Sequence, residues 1–324
     1  MNILVFGKDG QLGKAFNVLF EKLPASANIK VTYLGRSECD LSKEADVVKQ
    51  LNASKPNLII NASAYTAVDK AETEIDLAYA VNAKAPELMV RYAAENNATL
   101  LHYSTDYVFD GRKNGFYVED DARNPLGIYG KSKAAGEEAI EKVFANSSNG
   151  QFAIFRTSWV YGNGGNFIRT MLRLAKEREE LKVIHDQHGV PTSAEWLAQI
   201  SLSLALDSEC HLKQFPSGIY HAVPAGETTW HGLASFAVQA AQNAGVELKA
   251  KPEAIKPILA VQYPLPAPRP MNSRMNSAKL RSALKSGSSE ASNSYNEPQN
   301  VPNFPIWDGM VQEYVSKLAS KGLI

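Results

Sequence analysis

The segment NILVFGKDGQLG, from Asn2 to Gly13, decides the fold of this chain, because an apolar strand runs directly into a glycine-rich turn and then into a helix. In turns of this kind the first glycine permits the tight bend, the second lets the backbone approach a pyrophosphate, and the third allows close helix packing. Gly7, Gly10 and Gly13 occupy these positions. The helix start adds free N–H groups and the positive end of its dipole. The segment therefore predicts a dinucleotide-binding turn at the first strand–helix junction.

Four more apolar runs follow, each separated from the next by a stretch of helical period: KVTYL, NLII, TLLHYS and FAIFR. Short buried strands that alternate with helices are typical of a parallel sheet covered on both faces. We therefore expect residues 1–160 to form an α/β domain, a Rossmann-type doubly wound parallel sheet that binds the dinucleotide and carries the catalytic residues.

Beyond residue 160 the pattern changes. NFIRTMLRLAKEREE, AEWLAQISLSLAL and IWDGMVQEYVSKLASK have helical periods, and LKVIHDQHGVPTS is predicted as a strand and turn. PILAVQYPLPAPRP is predicted to be extended or looped, because each proline removes a donor and restricts its predecessor. We expect residues 161–324 to form a smaller mixed α/β substrate-binding lobe, with room for the chain to cross between lobes. The composition of residues 286–300 predicts a flexible segment.

Charge and cysteine usage exclude several classes of partner. Lysine and arginine balance aspartate and glutamate at 34 each, so the chain lacks a basic footprint for nucleic acid or an anionic membrane. No apolar run approaches the roughly 18 residues that span a bilayer, and no secretory signal pattern precedes the first strand. Cys39 and Cys210 lack CxxC spacing. We expect a protein of the reducing cytoplasm whose partners are small molecules or other subunits, with a homodimer as the candidate assembly.

The second strand ends in Gly35-Arg36, where an NAD-specific protein usually offers an acidic side chain to the ribose 2′-hydroxyl. A guanidinium suits bidentate contact with a phosphate, so Arg36 is a candidate ligand of the 2′-phosphate. The alternative is a solvated arginine in a loop. The pattern favours NADPH, with NADH as the alternative cofactor.

The stretches YSTDYVFDG and YGKSK follow the fourth strand, whose carboxyl end is a ligand-binding edge in an open α/β sheet. A helix that begins near Tyr129 places Tyr129 and Lys133 on one face, one turn apart. A free phenol has a pKa of about 10, and a nearby ammonium is expected to lower it. The spacing therefore predicts a proton donor for a carbonyl oxygen. Ser104 is predicted to be structural.

Six blocks in order resemble the extended short-chain dehydrogenases/reductases, and within them the dTDP-4-dehydrorhamnose reductase family: GKDGQLG, NASAYTAVDKAE, VNA, YSTDYVFDG, YGKSKAAGE and FRTSWVYG. NFIRTMLRLAKER, QHGVPTSAE, GIYHAV, TTWH and RPMNSRMN extend the resemblance to about Lys285. It implies hydride transfer from NADPH to C4 of a 4-keto-6-deoxy sugar on dTDP. The product would be dTDP-L-rhamnose, and residues 161–324 would mainly bind the sugar nucleotide.

The resemblance also implies the roles of individual residues. Tyr129 would protonate the nascent alkoxide, Lys133 would tune Tyr129 and hold the nicotinamide ribose, and Thr105 would hydrogen-bond the carbonyl oxygen. Asn82 is a candidate fourth member that organises water near Lys133. Besides Gly7, Gly13, Arg36, Tyr129 and Lys133, the implied cofactor contacts are Gly10, Gln11, Leu12, Asp40, Leu41, Ala64, Tyr65, Thr66 and Tyr103. Thr105, Asp106 and Trp159 would face the sugar nucleotide, although Trp159 could instead be a core aromatic.

Two other functions stay open. The sugar-nucleotide dehydratases of the superfamily carry an Asp-Glu pair after the threonine, whereas Thr105 is followed here by Asp106-Tyr107; this favours simple reduction over dehydration or epimerisation. A relative also serves as the non-catalytic regulatory subunit of methionine adenosyltransferase, and retention of the catalytic triad argues against that role.

A metal site is not predicted. His185 and His188 lack a third ligand of fitting spacing, which favours a polar turn. Some relatives carry magnesium between subunits, but the final helix offers Ser316 and Lys317 in place of a carboxylate cluster. Asp69 is expected at a charged helix start.

Overall fold

The computed structural model describes residues 1–23, 28–286 and 304–324. The strands are β1 (Asn2–Phe6), β2 (Lys30–Leu34), β3 (Leu58–Asn61), β4 (Thr99–Thr105), β5 (Gln151–Thr157), β6 (Val160–Tyr161), β7 (Leu181–Ile184), β8 (His188–Gly189), β9 (Thr192–Ser193), β10 (Gly218–His221), β11 (Thr228–Thr229) and β12 (Ile255–Ile258).

The helices are α1 (Gln11–Glu21), α2 (Glu44–Ser54), α3 (Val68–Ala71), α4 (Ile75–Tyr79), α5 (Ala85–Glu95), α6 (Ile128–Phe144), α7 (Phe167–Glu177), α8 (Ala194–Ala205), α9 (Trp230–Asn243), α10 (Ala278–Ser286) and α11 (Trp307–Ser320). A π-helical turn, Ala80–Lys84, joins α4 to α5, and short 3₁₀ turns lie at Asp106–Val108, Pro252–Ala254 and Ala260–Gln262. Within the described ranges, none of these helices is both long and apolar enough to cross a membrane.

The central sheet has the order β10-β5-β4-β3-β1-β2, and each neighbouring pair is parallel. Its inner strands are buried on both faces, as the sequence LIIN of β3 illustrates. Such continuous apolar runs are the expected form of a parallel strand covered by helices on both sides. The Rossmann-type fold predicted from the sequence is confirmed.

Two hydrophobic clusters cover the two faces of this sheet. On one face, Phe16 of α1 and Leu197 of α8 pack with Phe155 of β5. On the other face, Met89 of α5 and Ile140 of α6 pack with residues of β3, β4 and β5. Both faces of the sheet are therefore shielded from solvent, and the carboxyl edge of the sheet is the part accessible to ligands.

The helix α6 is anchored to the sheet by a buried ion pair. The Arg156 guanidinium donates to both carboxylate oxygens of Glu137, with a distance of 2.7 Å from Nη2 to Oε2. Arg156 is 1% exposed and Glu137 is 0% exposed. Arg123 adds a second contact to the same carboxylate at 3.1 Å. Such a pair is sensitive to removal of one partner, because the other charge would stay buried, so it fixes the helix relative to β5.

The second half of the chain builds a further cluster from α7, α9 and α11 around the parallel pair β7–β12. Between α7 and α11 the chain also returns to the central sheet. There β10 pairs with β5, and α8 and α10 pack on the first lobe. The predicted domain boundary at residue 160 therefore marks the point where the chain first leaves the central sheet. The later elements β10, α8 and α10 belong structurally to the first lobe. Their apolar faces complete a sheet surface that α1 alone leaves uncovered.

The proline-dense segment is extended over β12 and then irregular apart from the turn at Ala260–Gln262. The segment predicted to be flexible, residues 286–300, lies outside the described residues except for Ser286, which ends α10.

Candidate active site

The carboxyl ends of β1, β3, β4 and β5 meet at a cavity of about 620 Å³. The glycine turn, the Thr105–Tyr107 segment, the start of α6 and the two tryptophans Trp159 and Trp230 line it. A smaller cavity of about 120 Å³ adjoins it at the end of β2. Arg36 and Ala64 line both cavities, so the two form one continuous groove along the carboxyl edge of the sheet.

The three glycines of the first turn differ in backbone conformation and in the space around each Cα atom. Gly7 has a φ of +90°, a left-handed conformation that side chains rarely adopt. A Cβ on Gly13 would lie 2.1 Å from the Gly7 carbonyl oxygen, so this position serves close helix packing. A Cβ on Gly10 would meet only that same oxygen, at 3.4 Å, and would point into the groove.

The groove fits a dinucleotide pyrophosphate at the start of α1. The N-cap position is Gly10, so the helix has no side-chain cap there, and its first N–H groups suit an anion. The predicted cofactor residues that line the two cavities are Gly7, Gly10, Gln11, Leu12, Arg36, Asp40, Leu41, Ala64, Tyr65, Thr66, Tyr103, Tyr129 and Lys133. Gly13 stands behind the groove as a packing residue.

Arg36 lies at the mouth of the smaller cavity, near Asp40. Hydrogen bonds from Ser42 lower the pKa of Asp40, and the positive charge of Arg36 adds to this effect. Another acidic side chain of the loop, Glu38, is held by Lys8 at 2.5 Å and by the Gly35 N–H at 2.8 Å. Arg36 is therefore the cation that this loop presents to the groove.

Tyr129 and Lys133 both lie on α6 and line the larger cavity, as their spacing predicts. Lys133 is 1% exposed. Its ammonium donates to the Tyr103 carbonyl at 2.5 Å and lies 3.2 Å from His102 Nε2. Burial lowers the pKa of Lys133 to about 8.

The prediction that Lys133 lowers the pKa of Tyr129 is wrong for this structure. Burial raises the pKa of Tyr129 to about 12, and the negative charge of Asp106 adds to the rise. The physical reason is that the Lys133 ammonium is turned towards the Tyr103 carbonyl and His102. The phenol is therefore held in its protonated form at neutral pH, the form that a proton donor requires.

Thr105 ends β4 with its hydroxyl engaged. Its Oγ1 donates to Asp106 Oδ1 at 2.9 Å and accepts the Tyr107 N–H at 3.2 Å. Since a hydroxyl has one proton, the implied hydrogen bond from Thr105 to a substrate carbonyl would require the bond to Asp106 to break. The second oxygen of Asp106 accepts a hydrogen bond from Ser273. Burial raises the pKa of Asp106 to about 6.

An aromatic wall closes the cavity on the side of the second lobe. The rings of Trp159 and Trp230 are stacked, with 3.7 Å between their centroids. Trp159 has a φ of +47°, which is an outlier for a bulky residue and marks a constrained site. Gly189 makes room for its indole, because a Cβ there would lie 2.6 Å from the ring.

A third cavity of about 440 Å³ continues beyond this wall, and Tyr107 and Trp230 line both it and the larger cavity. Its lining is apolar except for a few groups that include the cations Arg178, Lys182 and Arg269. An apolar pocket with convergent cations suits a planar ring attached to phosphates.

The side chain of Asn82 is hydrogen-bonded to the protein on both its oxygen and its nitrogen. Its side-chain amide accepts the Tyr65 N–H at 2.8 Å, and it donates to the Tyr65 carbonyl and to Ser132 Oγ at 3.0 Å each. Asn82 therefore ties the segment after β3 to α6.

The sequence analysis did not identify several residues of the site. His102 contacts Lys133, and Tyr107 contacts Tyr129. Trp230 contacts Trp159, and Ser273 contacts Asp106. The only signal in the sequence for Trp230 and Ser273 was their position in the blocks TTWH and RPMNSRMN, far from the glycine turn.

The described residues include no group of three or more histidine, cysteine, aspartate or glutamate side chains that could hold a metal ion. His188 lies in the short strand β8, paired with Thr229. Asp69 lies at the start of α3 and forms an ion pair with Arg269 at 2.6 Å.

Comparisons with known proteins agree with this geometry. Residues 1–294 match the family model described as the RmlD substrate binding domain. The chain is 43% identical over 286 residues to the dTDP-4-dehydrorhamnose reductase of Escherichia coli (strain K12), covering 87% of this chain and 91% of that protein. It resembles the crystal structure of a dTDP-4-dehydrorhamnose reductase from Clostridium acetobutylicum, with a TM-score of 0.82, 32% identity, and coverage of 98% and 99% of the two chains. The same enzyme from Bacillus anthracis, crystallised in complex with NADP, gives a TM-score of 0.78, 28% identity, and coverage of 98% and 99%.

Proposed function

This chain belongs to the RmlD substrate binding domain family, and from that premise we propose that it reduces dTDP-4-dehydro-6-deoxy-L-mannose to dTDP-L-rhamnose with NADPH. This reaction is the last step of dTDP-rhamnose biosynthesis. The observation that carries the proposal is the placement of the Tyr129 phenol and Lys133 at the end of β4, in one groove with the glycine turn. The identity of 43% to a curated reductase supports the same substrate.

The residues present fit NADPH. The uncapped start of α1 at Gly10 suits the pyrophosphate, and Arg36 suits the 2′-phosphate. The bound cofactor would supply the hydride that reduces the sugar carbonyl. Tyr103, Tyr129 and Lys133 line the larger cavity and would surround the nicotinamide end.

The chain's own residues would handle the proton. Tyr129 would donate its phenolic proton to the oxygen of the reduced carbonyl, a role that suits its protonated state at neutral pH. Lys133 has three N–H donors, and the Tyr103 carbonyl takes one of them. Another would be available to the ribose or the phenol oxygen, so Lys133 would link the cofactor to the proton donor.

The sugar nucleotide would extend across the aromatic wall. The sugar would lie against Trp159 beside Thr105 and Asp106 in the larger cavity. The base and diphosphate of dTDP would occupy the third cavity, whose cations and apolar surface match their charge and shape.

The dehydratase alternative is disfavoured by a particular residue. Tyr107 stands where elimination chemistry uses a glutamate, and it packs edge-on against Tyr129 with 5.4 Å between ring centroids. Burial raises the pKa of Tyr107 above its usual value, so it is a poor base. The non-catalytic alternative is disfavoured because Thr105, Tyr129 and Lys133 are all present and all line one cavity.

The reductase proposal is tested by adding NADPH and a panel of nucleotide 4-keto sugars to the purified protein. We expect dTDP-4-dehydrorhamnose to be consumed with one NADPH oxidised per sugar. A protein that arrives with tightly held NAD and converts dTDP-glucose without net cofactor turnover would be a dehydratase or epimerase.

A second prediction concerns cofactor choice. Arg36→Ala should weaken NADPH binding by about 1.5–3 kcal/mol, the range for a charge-assisted hydrogen bond, and should leave NADH binding nearly unchanged. Titration of both cofactors checks this, with Arg112→Ala as a control, since Arg112 lies outside the groove. Equal losses for the two cofactors would show that Arg36 does not contact the 2′-phosphate.

We further propose that the protein works in the cytoplasm, where dTDP sugars and NADPH are available. The two cysteines, Cys39 and Cys210, are both free, which supports a reducing compartment. The nucleotide sugar is its expected partner, and a homodimer is the assembly to test by light scattering.

A further inference from the structure

The segment Ala267–Ser277, here called the strap, runs from the second lobe across the loop that follows β4. It contains the motif RPMNSRMN, in which the proposed reaction gives a role only to Arg269, one of the cations of the third cavity. Arg269 donates to both carboxylate oxygens of Asp69, at 2.6 and 2.8 Å. Asn272 donates to the Lys113 carbonyl at 2.7 Å. These contacts hold the strap against the first lobe on the N-terminal side of Ser273.

Ser273 reaches the reaction centre through Asp106. Its hydroxyl donates to Asp106 Oδ2, and its backbone N–H donates to the His188 carbonyl at 2.7 Å. Ser273 is 3% exposed and Asp106 is 2% exposed. A buried carboxylate is costly unless it is hydrogen-bonded, so these contacts decide its charge and its orientation.

The hydrogen bonds around Thr105 have one consistent direction. The Tyr107 N–H can only donate, and it points at Thr105 Oγ1. An ionised Asp106 can only accept, so the single proton of the Thr105 hydroxyl lies towards Asp106 Oδ1. Thr105 lines the same cavity as Tyr129, with its single proton committed to Asp106.

We propose that Ser273 is a positioning residue for the reduction: its hydroxyl keeps Asp106 ionised, and the ionised Asp106 fixes the direction of the Thr105 hydroxyl in the cavity that Tyr129 also lines. The role in catalysis rests on the proposed reductase function. The second lobe thereby reaches Thr105 through a chain of two hydrogen bonds.

The charges around Asp106 support this assignment. The phenols that face Asp106 are Tyr107 and Tyr129, and both are neutral at pH 7 because burial raises their pKa values. Arg269 faces Tyr107 and Asp69, and does not contact Asp106. Burial raises the pKa of Asp106 to about 6, and the largest opposing effect is the hydrogen bond from Ser273. Removal of this bond should therefore raise the pKa further.

The test uses thermal unfolding, which needs neither substrate nor cofactor. Because the pKa of Asp106 in the fold lies above that of a free aspartate, its ionisation destabilises the fold as pH rises from about 4 through 6. Asp106→Asn lacks this effect. We expect the Tm of Asp106→Asn minus that of the parent to grow between about pH 4 and 6 and then to level off at the pKa of Asp106 in the fold. In the Ser273→Ala background the growth should begin at the same pH, because the unfolded pKa is unchanged, and should level off about one to two pH units higher, as expected for a lost hydrogen bond to a charged group.

Ser277→Ala is the matched control, because Ser277 is another buried serine of the strap whose hydroxyl donates to the Val223 carbonyl at 2.9 Å. It should leave the pH at which the difference levels off unmoved. If Ser273→Ala does not fold, Ser273→Cys should raise this levelling-off pH by a smaller amount. A levelling-off pH that stays the same in the Ser273 variants, or moves equally in Ser277→Ala, would overturn the proposal.

The pH dependence of the reduction rate provides an independent test. The acid limb of the pH–rate profile should move upwards in Ser273→Ala by the same amount as the levelling-off pH of the Tm difference. A merely structural role would lower the rate at all pH values without moving the limb. If the parent fails to reduce the sugar, the reductase function fails, while the levelling-off pH still decides whether Ser273 controls Asp106.

Discussion

Tyr129→Phe should lower kcat for sugar reduction by roughly 10² to 10⁴, the range for loss of a positioned general acid. The substitution keeps the aromatic ring and its edge-on packing against Tyr107, and removes only the hydroxyl. Because the phenol is buried and protonated at neutral pH, its loss should act on proton donation and leave NADPH affinity and folding nearly unchanged. Steady-state turnover and NADPH titration measure the two effects separately.

Tyr161→Phe is the matched control for this variant. Tyr161 is 2% exposed, and its hydroxyl lies outside the residues that line the groove. Its removal should leave kcat unchanged. A Tyr129→Phe protein with near-normal turnover would rule out the assigned proton donor. If the parent were also inactive, the non-catalytic subunit would become the better account.

Lys133→Met should reduce both the rate and the affinity for NADPH, because Lys133 would contact both the cofactor ribose and the proton donor. The expected loss is about 10²-fold or more in kcat and about 10- to 100-fold in NADPH affinity, as for a charge-assisted hydrogen bond. Methionine keeps the length of the buried stem. Turnover and cofactor titration again supply the two readouts.

The stability of Lys133→Met separates this account from a folding defect. The pKa of Lys133 in the fold, about 8, lies below that of a free lysine, so its charge destabilises the fold as pH falls from about 10 through 8. At pH 7 the variant should therefore melt at the same temperature as the parent or higher. A large drop in Tm with a proportional loss of rate would instead indicate a structural lysine.

The fold was largely predictable because its signals are local. Each of the five apolar runs before residue 160 became a strand of the central sheet, and Gly7 and Gly13 stand where a tight turn and close packing require glycine. The helix predicted to begin near Tyr129 begins at Ile128. The sixth strand, β10, was not predicted, because joining a strand from beyond residue 160 to β5 depends on tertiary pairing.

The finer arrangement of the site depends on contacts between distant parts of the chain. Ser273 and Asp106 are 167 residues apart and meet only because the strap crosses the loop after β4. The predicted lowering of the Tyr129 pKa failed for a related reason. Burial and the orientation of Lys133 decide that pKa, and neither is visible in a four-residue spacing.

The most direct test of the account is to follow deuterium from NADPH labelled at C4 of the nicotinamide into the sugar during a single turnover of dTDP-4-dehydrorhamnose. For a protein in which Tyr129 and Lys133 serve a hydride transfer, mass spectrometry and NMR should find one deuterium per product at C4 of dTDP-L-rhamnose when the transferred face of the nicotinamide carries the label. Product that carries no deuterium from either labelled face, or NADPH that stays unoxidised while the sugar is converted, would contradict it.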